Sequence, residues 1–369
     1  MPTGYHGRTL RVDLSAGEIS VEKHDEVFCR RYLGGAGLVA YYLLKEVPPG
    51  TDPLGPENRL IFALGPLTGI PLAGSGRSAI GALSPLTGAM GEADVGGFWG
   101  AELKAAGYDA LVVQGQAQSP VYLWIHNGQA ELRDASQLWG LENKEAHTAI
   151  REELGEKRAK IALCGPAGEN LVRYAAIVAD LKHVAGRTGL GAVMGAKNLK
   201  AVAVRGTGQA PMADRARVLE LARWLRDNYR EIMGKFPEMG TGVSVIPYNA
   251  MGALPVHNFR DGHLAGAEAI GREGLAEHVV VRMESCYACA VSCKKVVDLE
   301  EPYHVDPAYG GPEYETAASI GSNCGVADVY AVSKASERLN ALGLDSISTG
   351  GTIAFAMECF EHGLLTPED

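Results

Sequence analysis

Polar and apolar positions alternate at the start of the chain. Thr9-Leu10-Arg11-Val12-Asp13-Leu14 is followed, after Ser15-Ala16-Gly17, by Glu18-Ile19-Ser20-Val21-Glu22. Period-two alternation on both sides of a turn predicts a β-hairpin. Val121-Tyr122-Leu123-Trp124-Ile125 and Ala130-Glu131-Leu132-Arg133 predict a second one, turning at Asn127-Gly128. Apolar runs at 60–64, 110–113, 161–163, 175–178 and 201–204 predict buried strands. Helical spacing falls at about 26–46 and 143–154. After about residue 210 the pattern becomes mainly helical, with helices predicted at 213–236, 328–342 and 352–362. The expected fold class is α+β: a β-rich domain over 1–210, then a mainly helical domain over 211–369.

Composition narrows the class. The chain has 369 residues, 46% hydrophobic and 21% charged, which suits a globular protein with sizeable cores. A net charge of -10 argues against a nucleic-acid partner, which would call for a basic patch. No stretch approaches the roughly 18 apolar residues needed to span a bilayer. The N-terminus lacks the pattern of a secretory signal, so a cytoplasmic location is expected. The 47 glycines gather between Gly65 and Gly107 and between Gly165 and Gly195. They imply either loops that let backbone approach a ligand or tight turns between short strands. Pro66-Leu67-Thr68-Gly69 recurs as Pro85-Leu86-Thr87-Gly88, a sign of two similar turns.

Three of the seven cysteines, Cys286, Cys289 and Cys293, are spaced C-x2-C-x3-C. Clustering of this kind in a long chain points to metal rather than disulfides. Thiolates suit iron–sulfur clusters and zinc. Zinc more often shows paired C-x2-C units or histidines at set spacing, so the spacing favours a four-iron cluster, which needs a fourth ligand. Unligated buried thiols are the remaining alternative. Cys324, in a turn-like Gly321–Gly325 setting, is a candidate fourth ligand. Cys29, Cys164 and Cys359 lie in apolar patterns and read as core residues.

The chain also resembles a known family. Cys286-Tyr287-Ala288-Cys289, Gly311-Pro312-Glu313-Tyr314-Glu315, and Asn340-Ala341-Leu342-Gly343-Leu344-Asp345 before Ser348-Thr349-Gly350-Gly351 look like the tungsten-containing aldehyde:ferredoxin oxidoreductases. So do Gly65-Pro66-Leu67-Thr68-Gly69, Gly96-Gly97-Phe98, Glu102-Leu103-Lys104, Ala106-Gly107-Tyr108-Asp109, Gly165-Pro166-Ala167-Gly168-Glu169-Asn170 and Gly191-Ala192-Val193-Met194-Gly195, in that order along the chain. The resemblance implies a tungsten (or molybdenum) ion held by two pterins, a nearby [4Fe-4S] cluster on Cys286, Cys289 and Cys293, and a bridging Mg²⁺. The family continues beyond position 369 with a domain that carries a second pterin motif, the fourth cluster cysteine and a catalytic histidine. The chain is therefore expected to be a fragment or to work with a partner.

Residue by residue, Arg77 matches the family's arginine between cluster and pterin, where a guanidinium donates charge-assisted hydrogen bonds. Asp94 and Gly96 match positions near the pterin phosphates, with aspartate where the family has asparagine. His183, Val184, Gly186 and Arg187 match a second phosphate-side segment, and Arg187 is its best phosphate binder on charge. Asn340, Leu344 and Asp345 match a pterin motif that normally begins with aspartate. Gly343 also suits a helix cap. Glu315 and Glu313 are candidate acid–base groups, and His257 is a candidate proton donor. Lys334 and Glu337 stand where some members carry a Glu-x2-His metal pair, so no subunit-bridging metal is expected.

The expected function is oxidation of a small aldehyde to a carboxylic acid, with electrons leaving through the cluster to ferredoxin or an iron–sulfur subunit. A homodimer is compatible with this. The alternatives are a related tungsten reductase of aromatic thioesters or acids, and an inactive cluster-bearing or assembly protein.

Overall fold

The structure is a computed structural model that describes residues 3–369. Its contacts divide the chain into two compact units. The first comprises the chain through Asp227 together with Cys286–Ala290 and Ala341–Leu344. The second comprises Asn228–Ser285, Val291–Asn340 and Asp345–Asp369.

Among the described residues twelve strands build the first unit. β1 (Arg8–Asp13), β2 (Glu18–Lys23), β3 (Leu60–Leu64), β4 (Ser78–Leu83), β5 (Met90–Val95) and β6 (Ala110–Gln114) form one sheet, ordered β2-β1-β6-β3-β4-β5. β7 (Val121–His126), β8 (Gln129–Asp134), β9 (Lys160–Cys164), β10 (Ile177–Ala179), β11 (His183–Ala185) and β12 (Leu199–Arg205) form the other, ordered β11-β10-β9-β12-β7-β8. Side-chain parity explains the two sequence signals. Leu60, Phe62 and Leu64 of β3 and Leu111 and Val113 of β6 share a core with Leu123, Ile125, Val202 and Val204 of the other sheet. The intervening Ile61, Ala63, Ala110 and Val112 pack on Leu38, Val39, Tyr42 and Leu43 of helix Ala36–Glu46. Buried on both faces, β3 and β6 read as unbroken apolar runs. β1 pairs antiparallel with β2, as the alternation predicts, and parallel with the distant β6, Thr9 opposite Ala110. The β7–β8 turn has Asn127 at φ 45 and Gly128 at φ 84, the double left-handed geometry of a two-residue hairpin.

Two expectations need correction. The helical stretch over 26–46 is two helices, Glu26–Tyr32 and Ala36–Glu46, separated by Leu33, Gly34 and Gly35, all at positive φ. Gly34 sits at φ 123, and a Cβ there would lie 2.2 Å from the Leu64 carbonyl oxygen. Gly34→Ala is therefore expected to destabilise the protein by about 2–3 kcal/mol, measured as a lower urea midpoint. The strand expected at 175–178 starts at Ile177, because Ala176 N donates to the Gly343 carbonyl (2.8 Å) and Ala175 bridges Leu344.

Two of the stretches that carry the family resemblance are structural. Lys104 Nζ pairs with Asp109 Oδ1 at 2.6 Å with the lysine fully buried, and Asp109 Oδ2 accepts the amides of His6 (2.9 Å) and Gly7 (2.6 Å).

The second unit is mainly helical. Helices Val245–Ala250, Arg272–His278 and Ser346–Glu361 are accompanied by an antiparallel ribbon of β13 (Val280–Glu284) and β14 (Lys294–Val297). Its core gathers Val245, Leu254, Val256, Ile270, Ala317, Ala318 and Val332. Among the described residues no helix is long and apolar enough to cross a membrane.

Candidate functional site

The cysteines lie between β13 and β14, whose last pair is Glu284 opposite Lys294. A hydrogen bond between the Ser285 and Ser292 hydroxyls (2.7 Å) closes the neck of this loop. Ala288 and Ser292 sit at φ 51, and Cys289 N donates to the Cys286 carbonyl at 3.2 Å. The Cys286 and Cys289 thiols are half-buried.

Tyr287 anchors this loop in the first unit. Its amide donates to the Gly97 carbonyl (3.1 Å) and its hydroxyl to the Gly69 carbonyl (3.0 Å). The approach depends on small residues. A Cβ on Gly76 would lie 2.4 Å from the Gly97 oxygen and 3.2 Å from Tyr287 Cβ. A Cβ on Gly97 (φ 96) would lie 2.5 Å from the His183 ring. One on Gly96 would lie 3.6 Å from Cys286 Sγ. Gly76, the neighbour of Arg77, is thus brought together with Gly96, His183 and Cys286 around Gly97. The Arg77 guanidinium is exposed and makes no hydrogen bond or ion pair among the described residues.

The two segments assigned to phosphates also meet. Residues 183–188 run beside β5: His183 lies against Gly97, and the Thr188 side chain comes within 2.8 Å of where a Gly91 Cβ would be. Ser84 Oγ donates to the Thr188 carbonyl (2.8 Å). Val184 is half-buried in β11, and Gly186 is buried. Arg187 stands at φ 71, exposed, and its guanidinium is unpaired among the described residues. Asp94 is exposed on β5 opposite Ala79. Burial, then the charge of Asp94, pushes the Glu92 carboxyl up.

In the second unit Glu313 accepts from Lys294 Nζ (3.0 Å) and Lys295 Nζ (2.9 Å), and the Thr241 hydroxyl donates to it at 2.5 Å. Burial alone would raise this carboxyl. The two ammoniums and the hydroxyl outweigh it and hold the group well below the usual carboxylate range. A carboxylate so held anchors structure better than it moves protons. Glu315 is exposed, in the short turn Tyr314–Thr316. That turn leads into a π-turn, Ala317–Gly321, and a 3₁₀ turn, Ser322–Cys324. π-turns within helices concentrate at functional sites. Val256, which precedes His257, shares a core with Ala317 and Ala318, so Glu315 and His257 flank one packed cluster. Cys324 is buried and donates to the Ser319 and Gly350 carbonyls (3.4 and 3.6 Å), the setting of a core thiol rather than a cluster ligand.

The pterin-motif side chains take local partners. Asn340 Nδ2 donates to the Tyr309 carbonyl (3.0 Å). Asp345 caps helix Ser346–Glu361 by accepting from Ser348 N (2.8 Å) and Oγ (2.6 Å). Leu344 packs near Ala167, Ala175 and Ala192. Lys334 pairs with Glu337 at 2.6 Å.

Sequence reasoning missed Tyr287, Lys295 and Asn323, since their roles rest on long-range contacts. Among the described residues no three His, Cys, Asp or Glu side chains gather closely enough to share one metal ion. A cluster does not require that, because each thiolate binds its own iron corner. The glycine cradle at 76 and 96–97, the Arg77 and Arg187 guanidiniums, unpaired among the described residues, and the half-buried Cys286 and Cys289 fit an anionic, sulfur-rich cofactor.

Comparison with known proteins extends this picture. Residues 9–206 match the family described as aldehyde ferredoxin oxidoreductase, N-terminal domain, and residues 220–369 match its domains 2 and 3. The tungsten-containing aldehyde ferredoxin oxidoreductase of Pyrococcus furiosus is 45% identical over 99% of this chain and 60% of its own length. That of Thermococcus kodakarensis is 44% identical with the same coverage. The solved active site complex BamBC of benzoyl coenzyme A reductase, bound to 1,5-dienoyl-CoA, has a TM-score of 0.89 and 33% identity, covering 100% of this chain and 58% of that one. The chain thus spans about 60% of the length of the curated relatives it matches.

Proposed function

As the chain belongs to the aldehyde ferredoxin oxidoreductase family, we propose that it houses the cofactor-binding part of an oxidoreductase acting on aldehydes. The reaction takes an aldehyde and water to a carboxylic acid, releasing two electrons and two protons. The observation that carries this reading is the meeting of Gly76, Gly96, His183 and Cys286 around Gly97, in a chain 45% identical to a tungsten enzyme of that activity.

When bound, a tungsten (or molybdenum) bis-pterin would accept the electron pair, and a [4Fe-4S] cluster would pass it on singly to ferredoxin or an iron–sulfur subunit. This chain's residues bind and position. Cys286, Cys289 and Cys293 supply three thiolates. The Arg77 guanidinium would donate hydrogen bonds to the cluster and pterin when they are bound, and Arg187 would neutralise phosphate. His183, Val184 and Gly186 line that phosphate side. The Asp94 carboxylate and nearby backbone carbonyls, including that of Gly96, offer the oxygen ligands Mg²⁺ prefers. The segment through Leu344 and Asp345 would hold the pterin through its backbone, its side chains being engaged in packing and in the helix cap. Glu315, exposed and without the lysines that hold Glu313 ionised, takes the proton from the attacking water, and His257 supplies one. The compartment is the cytoplasm, in keeping with seven free cysteines.

The likeness to the benzoyl coenzyme A reductase complex favours a second reading, reduction of an aromatic thioester on the same scaffold. Metal analysis and turnover separate them. Tungsten with iron, and dye reduction that depends on an aldehyde, is the expected result. Oxidation of a reduced dye only with an aromatic thioester would move the assignment to the reductase. Iron without tungsten would leave a cluster-bearing protein.

A further inference from the structure

Three consecutive residues, His257, Asn258 and Phe259, occupy the left-handed region at φ 49, 54 and 64. Such backbone disfavours L-residues, and it persists only where its surroundings over-determine it. Here the main anchor is Asn323, 2% exposed on the 3₁₀ turn that follows the π-turn. Its carbonyl accepts Asn258 N and its Oδ1 accepts Phe259 N, both at 3.0 Å. Val256 and Asp261 exchange both backbone hydrogen bonds (3.1 and 3.0 Å), and Arg260 N donates to the His257 carbonyl (3.1 Å). The Asn258 side chain donates to Glu358 at 2.5 Å. Two irregular segments are therefore locked to one another.

The lock fixes the imidazole. His257 Nδ1 lies 2.8 Å from Asp261 Oδ2. A carboxylate only accepts, so Nδ1 carries the proton, and Nε2 of the neutral ring keeps its lone pair. The Nε2 edge lies over Gly325, where a Cβ would come within 2.9 Å of Nε2. The ring lines a cavity of about 20 Å³ with Asn323, Cys324 and Glu358, room for one water.

We propose that Asp261 and Asn323 are positioning residues that hold His257 as its Nδ1–H tautomer, with Nε2 presented beside Cys324 as a proton-transfer atom. This rests on the reading above in assigning a proton to His257. The test uses the metal-loaded protein with ¹⁵N-labelled histidine, the His257 signal being identified by its loss in His257→Gln. The expected wild-type signal is Nδ1–H with unprotonated Nε2. Asp261→Asn is expected to redistribute the tautomers and to lower kcat roughly tenfold or more with KM held within about twofold, and Asp261→Glu to restore both in part. Because Asp261 is half exposed, these variants keep the fold; Asn323→Ala, at a buried position, is the secondary check and should broaden the His257 signal. An Nε2–H tautomer in the wild type, or an unchanged tautomer and kcat in Asp261→Asn, would overturn the proposal. The tautomer is read without substrate, so a protein that shows it yet oxidises no aldehyde loses the functional reading and the proton-transfer role, and keeps only the positioning of His257 by Asp261 and Asn323.

Discussion

Cys286→Ala in the metal-loaded protein is expected to abolish the broad visible absorption of the cluster and, with it, aldehyde-dependent reduction of ferredoxin or dye. Each thiolate of a four-iron cluster holds one corner, so losing one leaves an iron without its protein ligand. The rest of the loop stays in place, because Tyr287 is tied to Gly69 and Gly97 independently of the thiol. The loss would therefore report ligation rather than unfolding. Cys164→Ala is the matched control. That thiol is fully buried, donates to the Gly191 carbonyl at 3.4 Å, and is pushed up to about 12 by burial. It is expected to leave the iron content unchanged. Unaltered iron and spectrum in Cys286→Ala would remove the cluster from this loop.

The largest expected effect on stability is at Glu313. Its carboxylate satisfies Lys295, whose side chain is 0% exposed, and the more open Lys294. Glu313→Gln leaves a buried ammonium without its counter-charge and is expected to destabilise the second unit by about 3–5 kcal/mol. Urea titration of that transition is the measurement. The double variant Glu313→Leu, Lys295→Met should recover much of the loss, since removing both charges also removes their desolvation penalty. A double variant no better than the single would mean that packing, not charge, is at stake. The pH dependence has a definite sign. The folded-state carboxyl lies below its ordinary value of 4.5, so the unfolded chain binds the proton first as pH falls. The pair's contribution is complete above the ordinary carboxylate range and declines as pH drops below it. Glu313→Gln should flatten that decline.

Legibility in the sequence followed burial. β3 and β6 were visible as apolar runs because both their faces are covered. The hairpins were visible because one face of each is not. β4 and β5 were hidden by glycine and acidic residues. Gly81 in β4 is required because a Cβ would lie 2.3 Å from a Val39 methyl, so a poor strand former marks a close helix contact. The cysteine spacing is a purely local pattern, so it stood out in the sequence whatever it binds. Tyr287 did not, because its partners lie about two hundred positions away. Asp345 carries a second legible pattern, the Asp-x-x-Ser of a helix cap, and its side chain fills that cap. No local pattern marks Asn323, whose two acceptors act on a turn more than sixty positions earlier.

The parallel pairing of β1 with β6 sets a timetable for biogenesis. Strands at residues 9 and 110 cannot meet until roughly a hundred residues have been made, which takes about 5–20 s at ribosomal speed. The first hairpin must wait meanwhile with the β6 side of β1 open, while its other edge, Glu18–Lys23, carries the charges that discourage stray pairing. The loop that Tyr287 fastens arrives far later still. The Gly69 and Gly97 carbonyls that Tyr287 takes up must therefore wait about two hundred residues for their partner, which makes this loop one of the last parts of the first unit to be fixed.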